Sequence, residues 1–275
     1  FNLTFGPLMV PLLLVVPFGP LLAWKRGDVF AAAQRLMVAF AAALVATLVT
    51  ALFIDGASVF AALGVGLAVW LILGALTDLA VKSGFGNVAT GIMVRRLLGL
   101  PRSVFGTALA HLGLGLTTLG IVGTLCFGTE KILSMHAGET VELSGHTLRF
   151  VGLYPAQGPN YSEDRGRFEL IGVSGSAIGE ISSAKRFYPV RQMTTTESGI
   201  RTMGLSQLYI SLGDEGKDGS VVVRLWWKPL VTLIWGGGLV MMAGAAMSLM
   251  DRRLRVGAPS RRRKQASAVP SAGLP

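Results

Sequence analysis

The apolar positions of this chain are gathered into long uninterrupted blocks instead of recurring at helical or strand spacing. No charged residue occurs within 1–24, 36–54, 56–77, 103–129 or 229–250. Each block is about 19 to 27 residues long, and about 20 helical residues span the hydrocarbon core of a bilayer. The blocks predict transmembrane helices near 5–23, 36–54, 57–77, 104–127 and 229–250. The first holds Pro7, Pro11, Pro17 and Pro20. Each proline removes an intrahelical hydrogen bond and crowds the preceding turn, so this span is expected to kink or start late. Trp24 and Trp226-Trp227 stand at block edges, where an indole buries its ring and keeps its N–H wet. Ser103, after Pro101-Arg102, is the expected N-cap of the fourth span. Residues 87–98 (NVATGIMVRRLL) read as a short amphipathic helix lying on the interface.

Between the fourth and fifth spans the pattern changes. Residues 140–153 (TVELSGHTLRFVGL) alternate around a Ser-Gly-His turn as a hairpin does. Further strand-like runs cover 166–173, 178–188, 205–212 and 220–227, separated by Gly, Pro, Asn and Asp clusters. Six short strands predict a small antiparallel barrel or sandwich that leaves one helix and returns into another. The expected plan is a membrane bundle over 1–128, a β-domain over 129–228, a final span over 229–250 and a basic disordered tail over 251–275. No repeat of solenoid period interrupts it.

Composition agrees with this reading. Of 275 residues 51% are hydrophobic and 15% charged, whereas soluble domains carry about 25% charged residues. The formal charge of +10 raises the question of nucleic acid, and its placement answers it. Residues 129–228 hold eleven basic and eleven acidic side chains. The excess lies in short segments beside apolar blocks: Lys25, Arg26 and Arg35; Lys82, Arg95, Arg96 and Arg102; Arg252, Arg253, Arg255 and Arg261 to Lys264. These fall on every second connection, as the positive-inside rule requires. The reading is therefore a polytopic α-helical membrane protein with five transmembrane helices and an inserted all-β domain on the periplasmic side. Its amino end lies outside, and its basic tail sits in the cytoplasm near anionic lipid, with no nucleic-acid partner. The chain starts at Phe1 without a charged n-region or cleavage site and reads as the carboxyl-terminal part of something larger.

Candidate chemistry is sparse. Cys126, the single cysteine, forms no internal disulfide and reads as a small buried apolar residue at the outer end of the fourth span. No HExxH, P-loop, GxSxG or CxxCH motif occurs. Asp55 and Asp78 are placed at block edges, which leaves no carboxylate inside a span and counts against ion-coupled transport. His136 and His146 read as surface polar residues of the β-domain. His111 differs, because it is the one ionisable residue within 103–129, about 10 Å from the cytoplasmic end at 1.5 Å per residue. A histidine at that depth needs a partner. Gly106, Thr107, Ala108, Ala110, Gly113 and Gly115 make its surroundings slim, and Ala108, His111 and Gly115 share a face. Two readings stand: haem or metal ligation, and helix packing with an interhelical hydrogen bond. Thr107 or Thr118 is the expected partner of the second ring nitrogen.

Several segments, taken in order, resemble the CcmF family. They are Arg95-Arg96-Leu97-Leu98-Gly99-Leu100-Pro101-Arg102-Ser103, Ala110-His111-Leu112-Gly113, Lys185-Arg186-Phe187-Tyr188-Pro189, Met193-Thr194, Leu208-Tyr209-Ile210-Ser211-Leu212-Gly213 and Asp251-Arg252-Arg253. The family is the membrane haem-lyase subunit of bacterial cytochrome c maturation, and a close relative serves nitrite-reductase maturation. The resemblance implies that His111 is one axial ligand of a b-type haem in the bacterial inner membrane, with the second ligand outside this chain. It implies thioether formation between haem vinyl groups and apocytochrome c, the b-haem keeping the delivered haem reduced. Trp226-Trp227-Lys228 is not the family's tryptophan-rich WWD segment, which together with the other family histidines has no match here. Implied partners are the amino-terminal part of the same protein, a haem chaperone, apocytochrome c, a CcmH-like thiol-redox subunit and membrane lipid. Two rival classes are a permease subunit for haem or another amphipathic solute, and a structural membrane scaffold.

Overall fold

The computed structural model describes residues 2–22, 27–172 and 174–251. Trp24, Lys25, Arg26 and the basic tail from Arg252 onward lie outside the described residues. The chain opens with α1 (Asn2–Val15), which carries Pro7 and Pro11 inside it and passes into a 3-10 turn over Val16–Leu21. In that tighter turn the carbonyl of Leu14 has no donor available, because the residue three positions on, Pro17, lacks an N–H. The indole of Trp70 supplies one at 3.0 Å from 56 residues away, so a break that proline imposes locally is closed by a tertiary contact.

Next come α2 (Val29–Arg35), capped by the Asp28 side chain, and α3 (Met37–Phe53), bent by 55° at Leu36 with no proline present. Leu36 is fully buried against the cluster holding Trp70 and Leu71. Helix α4 (Val59–Ser83) starts at an N-cap, Ser58, that accepts from the Ala61 N–H, and stops at Gly84 in the left-handed region, where a glycine costs no Cβ strain. It runs past the predicted end of its apolar block and takes Asp78 and Lys82 into the helix. Helix α5 (Thr90–Leu98) is the short amphipathic helix that the sequence predicts.

Helix α6 (Arg102–Cys126) begins one residue before the expected cap. The Ser103 side chain does not cap it. The Ser103 backbone N–H instead donates to Oδ2 of Asp251 at 3.0 Å, a carboxylate 148 residues further along. Helix α7 (Thr232–Leu249) lies antiparallel to α6 along a line of glycines. A Cβ on Gly113 would come 2.5 Å from the Gly237 carbonyl, and one on Gly106 would come 2.5 Å from that of Gly244. Four described helical segments are long and apolar enough to cross a membrane, or five if α2 and α3 form one bent span.

Between α6 and α7 lies a β-sandwich rather than a barrel, with nine strands among the described residues rather than six. These are β1 (Thr129–Met135), β2 (Thr140–Leu143), β3 (His146–Gln157), β4 (Ser162–Ile171), β5 (Ala177–Tyr188), β6 (Met193–Glu197), β7 (Gly199–Met203), β8 (Ser206–Glu215) and β9 (Val221–Lys228). One sheet runs β1-β9-β8-β7 and the other β2-β3-β4-β5-β6, with every pair antiparallel. Period-two alternation sends Leu208, Ile210 and Leu212 of β8 and Val221, Val223 and Leu225 of β9 inward, against Leu148, Phe150, Phe168 and Leu170 of the facing sheet. The β2–β3 turn is the predicted one. Ser144 (φ 47°) and Gly145 (φ 76°) are its two central residues, both in the left-handed region that a two-residue type I′ hairpin demands.

Candidate functional site

In the helical half of the molecule, α4 packs against α6. Gly115 of α6 sits against Leu71 and Ile72 of α4: a Cβ there would meet the Ile72 Cγ1 at 2.6 Å. The helices are antiparallel, so one turn toward the start of α6 is His111, and one to two turns along α4 are Ala75 and Asp78. The Asp78 side chain is 1% exposed, and the expectation that it lies at a block edge is corrected: it is a buried carboxylate inside a helix. Lys82, four residues on, donates to Oδ2 at 2.8 Å. Oδ1 lies 2.7 Å from the same ammonium but has no contact of hydrogen-bond geometry. An ion pair of this kind offsets the large desolvation cost of each charge.

His111 is half-buried, and its Nδ1 is a buried atom with no hydrogen-bond partner. Neither expected threonine serves it. Thr107 donates its hydroxyl to the Ser103 carbonyl at 3.0 Å, and Thr118 donates to that of Leu114 at 2.8 Å, the back-bonding typical of a helical hydroxyl. The field of the Asp78 carboxylate reaches the imidazole.

The slim surroundings of His111 divide between two neighbours. Gly106 and Gly113 are filled by α7 and Gly115 by α4, so these glycines bring backbones together and do not hold open a slot. An imidazole whose Nδ1 is buried and unpartnered can ligate a metal ion or haem iron through its other ring nitrogen. Among the described residues no cluster of three His, Cys, Asp or Glu side chains is arranged to hold a metal ion by itself. Cys126 is exposed, which corrects the buried reading.

Both remaining histidines lie on the sandwich. His136 is exposed, with Nδ1 3.6 Å from Glu139 and Nε2 3.8 Å from Asp218. His146 is half-buried, not a free surface residue. Its ring stacks on Trp227 at 4.6 Å and its Nδ1 lies 2.9 Å from the Ser144 carbonyl, which pins the β2–β3 turn beside the end of β9. At another edge of the sandwich, a cleft of about 390 Å³ is bounded by Pro155, Gln157, Glu163, Lys185 and Phe187. The Glu163 side chain, 1% exposed, accepts from Arg165 and Arg186, and Arg186 also reaches Glu197. The Arg186 hydrogen bond, together with the Arg165 and Arg186 charges, holds the Glu163 carboxyl below the usual carboxylate range against the opposing effect of burial.

Comparison with known proteins follows the same division. The family described as the CcmF C-terminal beta-sandwich matches residues 126–229. The cytochrome c-type biogenesis protein CycK of Rhizobium meliloti (strain 1021) is 58% identical over 264 residues, which cover 96% of this chain and 39% of that protein. The chain is of CcmF type. The CcmF of Escherichia coli (strain K12) is 32% identical over 258 residues, covering 93% of this chain and 38% of that protein. NrfE of Haemophilus influenzae is 32% identical over 151 residues, 55% of this chain. A solved structure titled Cytochrome c Heme Lyase CcmF has the same fold, with a TM-score of 0.68 over 91% of this chain and 40% of that one, at 22% identity. The chain thus spans about two fifths of the length of the CcmF-type relatives it matches.

Proposed function

We propose that this chain is the carboxyl-terminal portion of a haem lyase of bacterial cytochrome c maturation, anchored in the inner membrane. The observation that carries the reading is His111: a lone imidazole in a glycine-lined helix pair of a CcmF-type chain, with a buried, unpartnered ring nitrogen. His111 would hold a b-type haem from this chain, and the second ligand would come from outside it. Such a haem, when bound and itself reduced by an external donor, would supply one-electron redox chemistry that serves to keep the delivered haem iron ferrous. The covalent step belongs to the delivered haem, where a cysteine S–H of apocytochrome c adds across a vinyl C=C to give a thioether. Its tryptophan-rich site falls outside this chain.

On this reading the sandwich is periplasmic and the α5 side cytoplasmic, which the basic residues flanking the apolar helices support. The sandwich is then a docking module for the haem chaperone, apocytochrome c or a CcmH-like thiol-redox subunit. Its outer strands β2, β6, β1 and β7 each have an unpaired edge, and an extended peptide adds to such an edge. The scaffold reading draws on one observation of its own, the filling of the glycine faces around His111 by α4 and α7.

The test is an absorption spectrum of the detergent-solubilised chain, together with the amino-terminal part that longer CcmF-type proteins carry, oxidised and dithionite-reduced, with His111→Ala beside it. A Soret band and a sharp reduced α-band that disappear in the variant are expected. A haem spectrum untouched by the substitution overturns the ligand assignment, and no haem in either protein leaves the scaffold.

A further inference from the structure

Asp78 is buried and His111 half-buried on facing helices; the buried Nδ1 of the imidazole has no hydrogen bond, and Oδ1 of the carboxylate, 2.7 Å from the Lys82 ammonium, has no contact of hydrogen-bond geometry. A buried polar atom left unsatisfied costs about 1–3 kcal/mol. Two such atoms within a turn or so of each other, one an anionic acceptor and the other a donor in the appropriate tautomer, are complementary. The glycine contact at Leu71 and Ile72 fixes the helix register that puts them at neighbouring levels. Lys82 donates to Oδ2 and its ammonium lies 2.7 Å from Oδ1 as well, yet each carboxylate oxygen has a second lone pair with which to accept.

We infer that Asp78 is the positioning residue for the His111 imidazole. Its carboxylate accepts the Nδ1–H of the ligating ring, directly or through one bridging water. This fixes the tautomer and turns Nε2 to the accessible side of the helix pair. The inference rests on the reading of His111 as an axial ligand. A carboxylate behind a ligating imidazole raises its basicity and donor strength, which favours the ferric state of an iron bound to it. Lys82 moderates that effect by neutralising part of the carboxylate charge. The pair Asp78–Lys82 thereby becomes a setting device for the redox equilibrium of whatever iron His111 holds.

The experiment is a spectroelectrochemical titration of the same preparation, with the ferric electron paramagnetic resonance spectrum recorded for each variant. Asp78→Asn keeps the shape of the side chain and removes its charge. It is expected to retain haem at the original stoichiometry and to move the ferric–ferrous equilibrium about tenfold toward ferrous, about 59 mV for a one-electron couple. Lys82→Gln frees the carboxylate and is expected to move it the opposite way. Asp78→Glu retains the charge and stays near the original potential. Unchanged potentials in Asp78→Asn and Lys82→Gln overturn the inference, as do shifts of the same sign in both. Loss of haem from Asp78→Glu as well as Asp78→Asn also overturns it, because a positioning charge survives in the former. His111→Ala separates the two levels of argument: if that variant keeps its haem spectrum the ligand reading fails, whereas loss of the ligand in His111→Ala with no shift in Asp78→Asn removes the positioning role alone.

Discussion

At the scale of single residues, the polar side chains do their work across long stretches of sequence. Asp251 is 6% exposed and caps α6 through the Ser103 N–H. It fills the place of an N-cap while sitting at the far end of α7, so one carboxylate ties the start of one helix to the end of its neighbour. Asp251→Ala is expected to lower the stability of the chain by about 0.5–2 kcal/mol, the usual cost of a lost cap. Thermal unfolding followed by circular dichroism, with Ser103→Ala as the control that leaves the cap intact, checks this. Glu163 gives a second prediction. Its carboxyl is held below the ordinary value chiefly by Arg186, so the ionised form is favoured by folding. The contribution is present above the unfolded value of about 4.5 and is lost as pH falls through the lower folded value. Glu163→Gln should destabilise the sandwich by about 1–3 kcal/mol at pH 7 and flatten the acid limb of its stability profile; an acid limb as steep as the unaltered chain's rejects the assignment. The sequence pointed to the right place for the α6 cap and the wrong side chain, because a tertiary donor–acceptor pair leaves no local spacing to read. The same holds at His111: its depth in an apolar block is visible in the sequence, but the threonines that spacing suggests are engaged with their own helix, and the carboxylate that faces it comes from another.

At the scale of elements, the molecule is organised by close approach. The α6–α7 contact carries Gly106 and Gly113 against Gly244 and Gly237 at distances that no side chain tolerates, and such backbone packing is the main attraction available to helices surrounded by lipid. Gly113→Leu is expected to force the helices apart and to cost about 1–3 kcal/mol or more, while Gly236→Ala, with nothing within 4 Å of its added Cβ, should be neutral or stabilising by about 0.5–1 kcal/mol. The comparison is made on unfolding in detergent, and equal losses in both variants reject the packing role. Glycine enrichment in the sequence is ambiguous between an open slot and a filled one, since the residues are the same in both cases. The strands show the matching limit. The β2–β3 hairpin was legible because its turn residues and alternation agree. Strands β1, β6 and β7 were not: β6 is Met-Thr-Thr-Thr-Glu with no buried residue, and β1 buries Met135 alone. A short edge strand is held by its neighbour's ladder, not by an alternating pattern of its own.

At the scale of the whole molecule, the sandwich and the helices are continuous, because the β1–β9 ladder runs directly into the α6–α7 pair. Thr129 pairs with Trp227, the Thr124 hydroxyl donates to the Pro229 carbonyl at 3.2 Å, and Thr232 caps onto the Leu205 carbonyl of the β7–β8 turn. Helix α6 has 25 residues, a length of about 37 Å, enough to cross a bilayer and carry its two ends to opposite surfaces. Its Arg102 end lies beside α5 with Arg95 and Arg96; its other end carries exposed Cys126 and the sandwich. The positive-inside rule predicts that the basic side is the cytoplasmic one, which makes the orientation a single testable statement. Cys126, the one native thiol, should react with a membrane-impermeant maleimide added to intact spheroplasts. Asn87→Cys, introduced at an exposed position before α5 with Cys126→Ser, should react only after the membrane is opened. The reverse pattern would turn the sandwich to the cytoplasm, away from the compartment where cytochromes c receive haem, and the docking role would fall with it. Labelling of both positions in sealed spheroplasts would mean that α6 does not cross the bilayer, and the axial-ligand reading of His111 would lose the buried setting on which it rests.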